Sequence, residues 1–149
     1  MKVLIVLLLS LVSLPTFSAG SGRYDSSADE SALAYVEKML AQQHYERAST
    51  WLVKYVDSSK GRRSADAWNL LGFSQRKQAH YPEALYAYQQ ALAIDPSHLG
   101  ALEYLGELYL NLGQVVRAQE NLERLKLLCE NCVEQQQLTV AIQQHKIKE

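Results

Sequence analysis

Cys129 and Cys132, in the stretch LLCENCVE, are the chain's only cysteines. A Cys-x-x-Cys pair serves thiol–disulfide exchange, metal ligation or haem attachment. Haem attachment requires a histidine directly after the second cysteine, and Val133 stands there. A structural zinc site closes with four ligands, but neither a second Cys-x-x-Cys nor a paired-histidine motif follows, and His145 alone supplies too little. A redox thiol gains reactivity at a helix N-terminus, where the macrodipole favours the thiolate. Here the helical pattern ends at Cys129 and resumes at Cys132, which favours an inert disulfide, and an oxidising compartment would favour it further. Closing so short a loop contributes about 2 kcal/mol in the chain-entropy model. The expected task of the bridge is to pin a terminal helix to the segment before it. A thiol–disulfide or metal-handling protein centred on Cys129 and Cys132 stays open as the alternative.

The histidines add no catalytic pattern. His44 and His80 each precede a tyrosine, in HYERA and HYPEA, so repetition explains both better than catalysis does. His98 falls in a loop. No GxSxG turn, phosphate-binding loop or metal-spaced His/Glu cluster occurs. The expectation is a non-enzymatic protein without metal or cofactor.

The segments that position these residues begin beyond a leader. Lys2, an apolar run over residues 3–12 broken only by Ser10, and a short turn-prone stretch ending in SAG have the form of a secretory signal peptide, residues 1–20. The run falls well short of the roughly 20 residues that span a bilayer. Signal cleavage and a periplasmic or secreted product, not inserted in the membrane, are therefore expected. Residues 21–28, rich in Ser, Gly, Arg and Asp, read as a flexible lead-in. The full chain carries 15 Lys and Arg against 16 Asp and Glu, with a pI near 6.4, which is no footprint for nucleic acid. SSKGRRS, residues 58–64, is its one basic cluster and reads as a solvated connection.

Leu71 and Leu105, Gly72 and Gly106, and Ala84 and Ala118 all recur at an interval of 34 residues. Ala48 precedes Ala84 by 36, the extra length falling in SSKGRR. Three units emerge, residues 29–64, 65–98 and 99–132, and a fixed period in this range marks a repeat array. Within each unit apolar residues recur three and four apart, which predicts two helices. The breaks fall at Gln43/His44, Ala79/His80 and Leu112/Gly113. Pro82 suits a first turn, Pro96 stops a helix, and Gly113 accommodates positive φ. Residues 133–149, with Leu138, Ala141 and Ile142 as a narrow apolar stripe, read as a capping helix. Trp68, Tyr88 and Tyr109 are expected in the core.

The middle unit resembles a tetratricopeptide repeat. Trp68, Leu71, Gly72, Ala84, Tyr88, Ala91 and Pro96 follow that family's pattern in step. The third unit keeps Leu102, Leu105, Gly106, Tyr109, Ala118 and Leu122 but has Glu130 in place of proline. The first is degenerate, with Ala32, Tyr35 and Val36 for Trp, Leu and Gly, although Ala48, Leu52 and Tyr55 fit. The resemblance implies an all-α solenoid of three helix pairs plus a cap, and a scaffold that binds another protein's peptide or helix in its concave groove. Family positions carried onto this chain give a partner-binding groove of Leu33, Glu37, Asn69, Phe73, Arg76, Lys77, Glu103, Glu107 and Leu110. Leu33 and Glu37 replace the lysine and asparagine of the family's carboxylate clamp, so that mode is not expected. Self-association remains open, because repeat ends can stack.

Overall fold

The computed structural model describes residues 26–148. The segment read as a signal peptide and the start of the expected lead-in lie outside the described residues. Seven α-helices follow in order: α1 Ser26–Ala41, α2 Tyr45–Asp57, α3 Ala65–Lys77, α4 Tyr81–Ile94, α5 Leu99–Asn111, α6 Val115–Leu128 and α7 Val133–Lys148, with a 3-10 turn at Gly61–Arg63. The described part is all-helical. The helix α1 already includes Ser26, within the segment read as lead-in. Helices pair in sequence, α1 with α2, α3 with α4 and α5 with α6, and α7 packs on α5 and α6.

The same turn joins the helices of every pair. Gln43, Ala79 and Gly113 take φ of 59°, 59° and 69°, the left-handed residue that ends a helix. The next amide reaches back to an orphan carbonyl: His44 N to Met39 O at 2.9 Å, His80 N to Gln75 O at 2.9 Å, Gln114 N to Tyr109 O at 2.8 Å. Only the third turn is marked by glycine. At Gln43 and Ala79 the surrounding helices impose a conformation that the side chain disfavours.

Helix starts are equally local. Ser64 Oγ accepts from Ala67 N at 3.2 Å at the head of α3, and Pro82 occupies the first turn of α4. His98 caps α5, its Nδ1 accepting from Ala101 N at 3.1 Å, which leaves the Nε2 proton to reach Asp66 Oδ1 at 3.0 Å. That contact holds the Asp66 carboxyl below its ordinary range, and it explains His98 as a clasp between the heads of α3 and α5. The basic connection is more ordered than a solvated loop requires. Gly61 is buried where an added Cβ would strike the Tyr55 carbonyl, and Trp68 Nε1 donates to Arg62 O at 3.2 Å.

Apolar burial runs continuously along the array. Val36, Leu52, Trp68 and Leu71 form its first part, Tyr88, Leu105 and Leu108 its middle, and Leu102, Leu125, Leu138 and Ile142 its end. Half-buried Leu92 touches all three clusters, and Ala101 of α5 belongs to the first. No pair therefore completes its core alone. The aromatic positions divide: Tyr88 is fully buried and Trp68 nearly so, whereas Tyr109 is half-buried under the Arg117 guanidinium, 5.5 Å from its ring.

Candidate functional site

The first helices α3 and α5 lie side by side, and α7 continues the row as though it opened a further unit. Between them runs a cleft of about 530 Å³. Phe73, Arg76 and Lys77 come from α3, Glu103, Tyr104 and Glu107 from α5, and Gln136, Gln137, Val140, Ala141 and Gln144 from α7. An aromatic strip backs it. Tyr45 meets Phe73 edge-on at 6.2 Å between centroids, and Phe73 meets Tyr104 at 5.0 Å. The Arg76 guanidinium lies 5.7 Å from the Phe73 ring and 5.8 Å from the Tyr104 ring, and the Lys77 ammonium 5.3 Å from Phe73.

The charges are unevenly matched. Arg76 pairs with Glu107. Glu103, one turn earlier on α5, is only 4% exposed and has no cationic partner among the described residues. The Gln137 amide, turned so that its nitrogen faces the carboxylate, donates to the Glu103 oxygens at 2.8 and 3.2 Å. Burial, then the neighbouring charges of Glu107 and Glu134, push the Glu103 carboxyl up to about 8, with Arg76 pulling weakly the other way. Burial also raises the Tyr104 hydroxyl.

Of the nine groove positions carried over from the repeat pattern, Phe73, Arg76, Lys77, Glu103 and Glu107 meet in this cleft. Leu110 is buried and lines a smaller adjoining hollow with Arg76, Glu107 and His145. Asn69 is not presented to a partner: it is 7% exposed, its Nδ2 only 3.2 Å from where a Cβ on Gly100 would stand. Leu33 packs against the first core cluster and Glu37 is exposed on α1, neither lining the cleft. The α7 wall was absent from the sequence-derived set. Its signal was the period itself, since Glu103, Glu107 and Leu110 moved on by 34 residues become Gln137, Ala141 and Gln144.

Cys129 and Cys132 are joined, bracketing the turn from α6 to α7. Asn131 N donates to Gln135 Oε1 at 3.1 Å, and Gln136 Nε2 donates to Asn131 O at 2.8 Å, so the same turn is tied into α7. The bridge thereby fixes one end of the cleft wall. On the opposite surface a mostly apolar hollow of about 420 Å³ is lined by Val53, Trp68, Pro82 and Tyr86 among others.

A tetratricopeptide repeat model matches residues 65–98, and a second, offset tetratricopeptide repeat model matches residues 87–120. No curated protein matches the chain. Among solved structures it is similar to the type III secretion translocator chaperone SycD of Yersinia enterocolitica, with a TM-score of 0.70 at 16% identity over 83% of this chain and 86% of that one. It is also similar to SycD in complex with a peptide of the translocator YopD, with a TM-score of 0.69 at 16% identity over 85% of this chain and 98% of that one. At such identity the likeness is one of fold.

Proposed function

Because this chain is a tetratricopeptide repeat protein with a mixed, aromatic-backed cleft between α3, α5 and α7, we propose that it is an adaptor holding a segment of another protein in that cleft. The cleft carries the reading. An extended groove on three neighbouring helices suits a helix or an extended peptide, with Phe73 and Tyr104 for apolar contact and polar groups around them for register. SycD, similar in fold, has been solved with a peptide of its partner, which supports peptide holding as the use of this architecture. We place the protein outside the cytoplasm, in the periplasm or secreted, on the strength of the leader pattern in residues 1–20, with an envelope or assembly protein as partner.

The test is capture from the source organism's envelope extract. A variant carrying Lys77→Glu and Gln144→Arg changes two exposed cleft residues, and Tyr86→Ser changes the opposite surface. A partner retained by the parent and by Tyr86→Ser, but lost from the still-folded cleft variant, is the expected result. Retention by the cleft variant with loss from Tyr86→Ser would move the site to the other face.

A further inference from the structure

Resting on that reading of the cleft, we propose that the bound segment carries a lysine or arginine whose cationic head is received by Glu103. Glu103 is a carboxylate almost wholly withdrawn from water yet set in the wall of an open cleft. The nearest cation, Arg76, is engaged by Glu107 and lies over both the Phe73 and Tyr104 rings. Lys77 stands over Phe73. What reaches Glu103 directly is the neutral Gln137 amide.

A buried carboxylate satisfied by one amide is an incomplete arrangement, since most of its stabilisation should come from an opposite charge or several donors. The groups around it deepen the deficit. Glu107 and Tyr104 share its helix, Glu134 faces it from α7, and Arg76 comes from α3, with Tyr88 of α4 behind Arg76. His145 lines the adjoining hollow beside Arg76 and Glu107. The charges of Glu107 and Glu134 thus both act against ionised Glu103, and among cations only Arg76 acts for it. An acidic segment would add like charge, and a wholly apolar one would seal Glu103 from water with the Gln137 amide as its one direct partner. A basic side chain answers both: its stem lies along Phe73 and Tyr104, and its head meets the carboxylate. With its carboxyl pushed up to about 8, Glu103 gives up a proton to solvent as the ion pair forms at neutral pH.

The experiment selects dodecapeptides from a random display library on the full chain, then titrates acetylated, amidated versions by calorimetry. Cleft binders are those weakened by Phe73→Ala and by Gln144→Arg, the second changing only an exposed wall residue. They are expected to share a lysine or arginine. Replacing that residue with glutamine should weaken binding to the parent by roughly tenfold or more, and should cost nothing further against Glu103→Gln. Parent affinity should also rise on the order of tenfold from pH 6.5 to 8.5 with proton release, while Glu103→Gln stays flat. Glu103→Gln preserves side-chain size, so folding is not at issue. Cleft binders indifferent to the basic residue and to Glu103→Gln would overturn the cation while leaving the peptide site intact. No cleft-dependent binder at all would overturn both.

Discussion

Gly72 and Gly106 occupy the same place in successive units, but different things lie against them. A Cβ on Gly72 would stand 2.6 Å from a ring carbon of Tyr88, the second helix of its own unit. A Cβ on Gly106 would stand 2.6 Å from both terminal methyls of Leu138, on α7. The middle unit is filled from within. The last unit is completed from outside, because Leu122 stands where Tyr88 stood and leaves room that α7 enters. One helix thus closes the core and walls the cleft, so in this region stability and binding share a support that the middle unit does not need.

The largest way to break this contrast is Tyr88→Ala. Its side chain is fully buried where α3, α4 and α5 meet, so a loss of about 4 kcal/mol is expected, spread over the whole array as a single cooperative urea transition. Leu138→Ala should cost about 3 kcal/mol, but unevenly: hydrogen exchange should accelerate first in α7 and then along α5 and α6. Equal loss of protection in α3 and α4 would erase the distinction.

Glu103 sharpens it through pH. Its folded carboxyl titrates near 8, above its ordinary value of 4.5, so its folded state binds the proton more tightly than the unfolded chain. Its contribution is present in full below about pH 4 and is lost as pH rises toward 8, on the order of a few kcal/mol. Glu103→Gln should flatten that decline in urea midpoints measured from pH 5 to 8.5. A slope unchanged by the substitution would place the titration elsewhere.

Reducing the Cys129–Cys132 bridge should cost about 2 kcal/mol or less, felt in α7 rather than in α3 and α4. A smaller effect of opposite sign is expected at Ala79, whose φ of 59° suits glycine better. Ala79→Gly relieves left-handed strain but adds unfolded-chain entropy, leaving a gain below about 1 kcal/mol in thermal unfolding.

The repeat pattern was legible because packing demands it: Leu71, Gly72, Ala84 and Tyr88 are set by one helix pair and recur with the period. The turns were half legible, since Gly113 announces positive φ while Gln43 and Ala79 accept it under pressure from their helices. Cleft residues were harder, because a surface position carries no packing signature. Phe73, Arg76, Lys77, Glu103 and Glu107 followed from position alone, whereas Asn69 looked alike in sequence and is buried over Gly100. Reading α7 only as a cap hid Gln137, Ala141 and Gln144. The charge deficit at Glu103 depends on which helix faces which, and no local pattern encodes it.

The central claim, that the cleft between α3, α5 and α7 holds a partner segment, is tested most directly by placing a photo-crosslinking amino acid at Lys77, at Gln144 or at Tyr86 and irradiating intact cells of the source organism. One shared adduct from Lys77 and Gln144, absent at Tyr86, is the predicted result. An adduct at Tyr86 with none from either cleft position would contradict the account.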